Sequence, residues 1–242
     1  MKKIINHLKE NWIRHGFETL VVTVGILGAF TLNNWNEWRK DRLKEKEILT
    51  DLIENLNYNK NTIQKITGIL NGNHKSSNII INTIEKKKFF HDSLGSHMAI
   101  ALNPTTEMIE ELTLMGYESM KNNGFDLIIN DTLKKEIVHL FEITYKKSLS
   151  RHNRVNQNYS YIQILKHKHL MRLPEVWAFT PFNFESLTED KEFLSWLYTI
   201  RNNRGWIKDS FEISLTETQS VLQKVNKHLT ERKLLTSEEK SP

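Results

Sequence analysis

Residues 16–38 read GFETLVVTVGILGAFTLNNWNEW, and the fold follows from how that stretch is interpreted. From Gly16 to Leu32 the one ionisable side chain is Glu18. With Asn33, Asn34 and Trp35 the run reaches about 20 residues, or about 30 Å of helix, which matches the hydrocarbon thickness of a bilayer. Trp12 precedes it and Trp35 and Trp38 follow it, where amphipathic indoles suit the headgroup layer. A cleavable signal peptide starts in a similar way, but AFTLNNWNEW lacks a convincing small-x-small cleavage site. A buried soluble helix is the other reading, yet no other segment approaches this hydrophobicity. The expectation is a retained transmembrane helix over 16–35.

Glu18 lies one turn inside the membrane boundary, four residues after Arg14 on the same helical face. Such a carboxylate either faces a partner helix or ion path, or snorkels to the interface and pairs with Arg14. The second reading is the expectation, because Glu18 is so near the edge. Gly25 and Ala29, with Gly28 nearby, form a small-xxx-small pair that would let two helices approach closely. Asn33 and Asn34 at the exit have two uses open to them, contact with headgroups or hydrogen bonds between subunits.

Residues 1–15 carry Lys2, Lys3, Lys9 and Arg14 against Glu10 alone, while the remainder of a chain of formal net charge +5 is close to balance. The basic pI therefore argues for membrane topology and headgroup attraction, and no nucleic-acid partner is expected. Arg39, Lys40, Arg42, Lys44 and Lys46 follow the span, so the positive-inside rule is nearly tied. A short leader that stays in the cytoplasm favours an inner-membrane, single-pass protein with its domain outside, in the periplasm.

Beyond the span, 26 % charged residues and a mean hydropathy of −0.51 describe a soluble-type domain. Only 9 Gly and 4 Pro punctuate the 242 residues, which favours long helices. Trp35, Trp38, Arg42, Glu45, Leu49, Leu52, Leu56, Asn59, Ile63, Ile66 and Leu70 alternate steps of three and four, the spacing of a narrow helical seam continuous with the span. Asn71-Gly72-Asn73 is expected to stop it, with a shorter helix through Ile79–Ile84 behind. Pro104-Thr105-Thr106-Glu107 opens another helix with Met108, Ile109, Leu112, Met115 and Met120 on its apolar face, and Asn122-Asn123-Gly124 closes it with positive φ. Asn130 and Asp131 cap a helix expected to reach about Leu170. Residues 171–187, with Pro174 and Pro181, read as a loop. A second seam runs through Phe193, Leu197, Ile200, Arg204, Ile207, Phe211, Leu215, Thr218, Leu222, Val225 and Leu229, with Gly205 as a kink point. The two seams need partners, and each other is the cheapest. The fold expected is all-α: a basic leader (1–15), one transmembrane helix (16–35), an antiparallel bundle of long, coiled-coil-like helices (36–232) and a disordered tail (233–242).

Two stretches carry a resemblance. Glu18–Leu27, ETLVVTVGIL, running into Asn33-Asn34-Trp35-Asn36-Glu37, resembles the N-terminal signature of a membrane-anchored family of unknown function common in Bacteroidota. Its members place Gly-Glu before an apolar span and Asn-Asn-Trp-Asn-Glu after it; this chain has Phe17 between Gly16 and Glu18. Tyr117–Lys121, Gly124-Phe125-Asp126 and Asn130–Leu133 are similar to the family's central motif, which the helix with Leu140-Phe141-Glu142 continues. The resemblance implies a single span with helices behind it and brings no reaction.

The absence of cysteine excludes disulfides, cysteine nucleophiles and thiolate metal sites. Glu136-x-x-His139, with Glu142, has the spacing of di-iron bundles, but no second copy exists to complete such a site. His167 and His169 point apart on a helix, and no nucleophile elbow, Walker loop or Gly-x-Gly-x-x-Gly is present. No enzyme activity and no cofactor are expected. Trp177, Phe179, Phe182 and Phe184 crowd eight residues, either as a partner-binding loop or as a cover over the bundle end. The function expected is interaction or scaffolding at the bilayer, through self-association or an unidentified membrane protein. The alternative is a ligand-sensing bundle that signals through a partner protein, the leader being too short for an output domain.

Overall fold

The computed structural model describes residues 2–102, 112–157, 159–174 and 176–238, and helices carry nearly all of them. Helix α1 (Lys2–Glu85) is unbroken over 84 residues. The stop expected at Asn71-Gly72-Asn73 does not occur. Leu70, Asn73, Ser77, Ile80 and Ile84 are all buried and continue the three-and-four spacing. Burying that face outweighs the ~1 kcal/mol of helix propensity that each glycine forfeits. The helix ends instead where Lys87 turns left-handed (φ 48°). Its N–H donates to Ile84 O at 3.0 Å and that of Lys88 to Thr83 O at 3.1 Å, a Schellman closure with lysine where glycine is usual.

Helix α2 (Asp92–Ala101) folds back along α1, and α3 (Met115–Asn123) lies against it further toward the span. The cap expected at Pro104–Glu107, with Met108 and Ile109, lies outside the described residues. A 3-10 turn (Phe125–Leu127) leads to α4 (Asp131–His139), where Asn130 Oδ1 accepts from Leu133 N–H at 3.0 Å as expected of a cap. The single helix expected to Leu170 is interrupted by a π-helical stretch (Leu140–Tyr145) before α5 (Lys146–Gln157) and α6 (Tyr159–His169). The wider turn sets Phe141, Thr144, Tyr145 and Ser148 together on the buried side.

The loop expected at 171–187 is in part a hairpin. Strand β1 (Leu170–Arg172) pairs antiparallel with β2 (Phe179–Pro181), Met171 opposite Thr180. A short α7 (Phe184–Glu189) precedes α8 (Lys191–Glu238), which runs through Gly205 without a break and carries residues 233–238 as helix. Side chains of α1 from Gly16 to Asp41 are exposed, and packing begins at Glu45. From there α8 runs antiparallel to α1: Glu45 meets His228, Asn78 meets Arg201, and Glu85 meets Tyr198.

The core falls into two clusters. One gathers α1 from Ile48 to Leu70 with Tyr117, Leu133, Ile137, Phe141, Tyr145, Phe211 and Val225. The other joins Ile80, Ile81 and Ile84 to Leu94, Met98, Leu170, Leu187, Phe193 and Leu197. Buried Arg204 lies on α8 between them and donates to Ala101 O at the end of α2, where a cation suits the helix terminus.

Gly116 lets α3 touch α1. A Cβ there would stand 2.9 Å from Asn55 Cβ, 3.0 Å from Asp51 O and 3.2 Å from Leu52 Cα, all atoms of the α1 surface. Gly124 has φ −162°, so the positive φ expected of it is not used; it is pressed against Ile48. Gly116→Ala is expected to cost about 1–3 kcal/mol by forcing the helices apart, read as a lower urea midpoint. An unchanged midpoint would show that α3 is not pressed on α1. Lys87→Gly is expected to raise the thermal midpoint, because it removes the left-handed strain and loses only an exposed pair with Glu189.

Candidate functional site

Three places gather the residues singled out by the sequence. The first is the apolar segment that starts at Gly16, the stretch of the described chain long and apolar enough to cross a membrane. Arg14 Nε donates to Glu18 Oε1 at 3.2 Å, the pairing expected from their spacing. Gly25 and Gly28 have nothing within 4 Å of where a Cβ would sit, and Ala29 is exposed. Asn33 Nδ2 donates to Glu37 Oε1 at 3.1 Å, Asn34 is exposed, and the Arg39 guanidinium lies 6.0 Å from the Trp35 ring. This face is open along its whole length.

The second place is the π-helical stretch and its neighbours. Tyr117 stacks on Phe141 with ring centroids 4.6 Å apart, and Phe141 meets Tyr145 edge-on at 5.1 Å. The Tyr117 hydroxyl donates to Glu142 Oε1 at 2.9 Å; Lys121 lies 3.4 Å from the same oxygen and Lys146 bonds the other. Lys146, then Tyr117, hold the Glu142 carboxyl down at about 2. Burial, then Glu142, pushes the Tyr117 phenol up to about 12. A proton-transfer pair works best near the operating pH, and these two are driven away from it in opposite directions. The cluster is a latch between α3 and the π stretch. Tyr145 Oη sits 2.7 Å from Thr218 Oγ1, and Ser148 Oγ donates to Ser210 O at 2.9 Å, tying the same stretch to α8.

Glu136 and His139 border one recess with Glu217 but pair separately. Lys224 donates to Glu136 at 2.5 Å, whereas His139 Nδ1 lies 3.4 Å from Glu217. Among the described residues no three His, Asp or Glu are arranged to hold a metal. His169 pairs with Asp190 at 3.1 Å, and His167 lies on the opposite side, at the hairpin.

The third place is that hairpin, where the four aromatics divide. Phe179 and Phe184 pack on the second cluster, with Phe184 5.5 Å from the Phe90 ring. Trp177 and Phe182 are 57 % and 64 % exposed. Ile164 of α6, Met171 of β1 and Val176 of the connecting turn are exposed as well. Sequence pattern alone does not divide the four: Phe179 is fixed by the strand pairing and Phe184 by the start of α7, while Trp177 and Phe182 stand at the bends on either side of β2. Behind the hairpin lies a pocket of about 340 Å³, with Lys166, Leu170, Arg172, Trp177 and Phe179 in its wall.

No protein-family model, no curated protein and no solved structure matches the chain.

His152 is buried outside these three places. It is 1 % exposed, and burial holds its imidazole down at about 4. Its unfolded value lies near 6.5, so the unfolded chain takes up the proton first. Stability is full above pH 6.5 and is lost as pH falls toward 4, by about 3 kcal/mol at 1.36 kcal/mol per pH unit. Urea titrations across pH 4–7 are expected to show this loss in the parent and not in His152→Gln. Parallel profiles in the two proteins would refute it.

Proposed function

We propose that this chain is a membrane-anchored helical docking protein. Residues 16–35 cross the inner membrane once, and residues 36–232 form an antiparallel, coiled-coil-like bundle on its periplasmic side. The observation that carries the reading is the exposed Trp177 and Phe182, set at the end of the body remote from the span. From Trp35 to Ile80, which shares a cluster with Leu170 of the hairpin, the axis of α1 runs about 70 Å at 1.5 Å per residue. Exposed aromatics with aliphatic neighbours are favoured at protein interfaces, and a rigid stalk would present them far from the bilayer. The open Gly25–Ala29 face is the companion site for self-association or for a membrane partner. Membership of the membrane-anchored family whose motifs the chain resembles fits the same reading.

A second reading is supported by the pocket behind the hairpin. A ligand held there would touch elements packed on the last turns of α1, whose other end is the span, so the bundle would sense a ligand and act through a partner protein.

With a photo-cross-linking residue in place of Trp177 or Phe182, intact cells are expected to yield a discrete adduct that the same group at exposed Ile213 does not. Monomer alone from every position would overturn docking. Topology has a clean test because the chain holds no cysteine. Lys227→Cys is expected to react with an impermeant maleimide in intact spheroplasts; reaction only after lysis would put the domain in the cytoplasm.

A further inference from the structure

The pocket behind the hairpin is built from two aromatic rings, each facing a cation. The Lys166 ammonium stands 5.1 Å from the centroid of Phe179, and the Arg172 guanidinium 5.1 Å from that of Trp177. Leu170 and Ala178 are buried in its wall, and Ala99 of α2 closes one side. Among the described residues no Asp or Glu lines it, and neither Lys166 nor Arg172 forms an ion pair. The nearby acids are engaged elsewhere: Glu192 lies by Lys168 and Asp190 by His169. Burial, and then the charge of Arg172, pull Lys166 below the ordinary lysine range. Lys166 is half-buried and Arg172 exposed, and two cations beside one pocket without a counter-charge repel each other. An anion entering between them removes that cost. The ring contacts hold both cations without using an N–H donor.

We propose that this pocket binds a small amphiphilic anion, a carboxylate on an aromatic or short apolar body, with Lys166 and Arg172 receiving the charge and the Leu170–Ala178 wall the apolar part. Its volume of about 340 Å³ lies at the small end of ligand sites, which run from about 300 to 1,000 Å³. That excludes a long acyl chain and suits a compact ring. Recognition divides between the two halves: the cations read charge and the wall reads shape. The assignment deepens the ligand-sensing reading and does not depend on docking at Trp177 or Phe182.

The test is calorimetry on the full chain in lipid nanodiscs, with empty nanodiscs subtracted, using phenylacetate, its neutral isostere phenylacetamide and inorganic phosphate. Phenylacetate is expected to bind one per chain, at least tenfold tighter than either of the others. Lys166→Met and Arg172→Gln are each expected to weaken it by about tenfold, the loss of one charge-assisted contact. The comparison of the three probes uses the unmodified chain, so it stands whether or not a variant folds. Equal affinity for the amide would show that charge is not read, and equal affinity for phosphate that the apolar body is not; either overturns the proposal, as does no binding at all. Binding that appears only after Glu175→Gln would assign the cations an internal partner and overturn it too. Cross-links from Trp177 and Phe182 that persist without phenylacetate binding would sink the pocket alone, and binding without cross-links would sink docking alone.

Discussion

Glu45 is the point on which the arrangement turns. Its carboxylate is almost fully buried where α1 first meets the rest of the chain, with Arg42 at 2.5 Å, His228 at 3.2 Å and Arg232 at 3.7 Å. The Ile129 N–H lies at 3.4 Å from the same group. A buried carboxylate without such partners would cost several kcal/mol, so α8 and the 128–130 segment are held to one alignment on α1. Fourteen residues further on, Asn59 works in the same way. Its side-chain amide donates to Thr113 O and accepts from Thr113 N–H, both at 2.9 Å, and Asn55 reaches the same carbonyl. Apolar seams permit a slide of one heptad with little loss. Polar residues that find partners in a single alignment do not.

With α1 and α8 locked, the remaining elements have few choices. The π-helical stretch brings Tyr145 to Thr218 and leaves Glu142 outside to gather Tyr117, Lys121 and Lys146. Gly116 and the small side chains Ser210 and Ser214 are the places where backbones come close enough for this to happen. A larger residue at any of them would push a helix outward. The hairpin rests on the second cluster, at the far end of the same rod.

This construction separates two environments along one helix. Over residues 16–35 α1 is apolar and open on every side; from Glu45 on it is amphipathic and enclosed. The change falls between Asp41 and Glu45, where the charged residues after the indoles give way to the seam. The two environments are joined by one unbroken helix.

The apolar run and the two seams were legible in the sequence because local geometry converts such patterns directly into a helix face, although Trp35 and Trp38, expected to open the first seam, stay exposed and packing begins at Glu45. Glu45, Asn59 and Arg204 were visible as polar interruptions of those seams, but their partners were not, because those partners are distant in sequence. Asn71-Gly72-Asn73 misled for the opposite reason: its local turn chemistry is real, and the burial of Asn73, Ser77 and Ile80 against α2 and α8 overrides it. The π stretch, the hairpin, and the division of four aromatics into two packed and two exposed were set by tertiary structure alone. Each depends on which surface is already occupied when that segment arrives. The same holds for Lys166 and Arg172, which carry no motif and acquire meaning only when β1 and α6 bring them to one pocket.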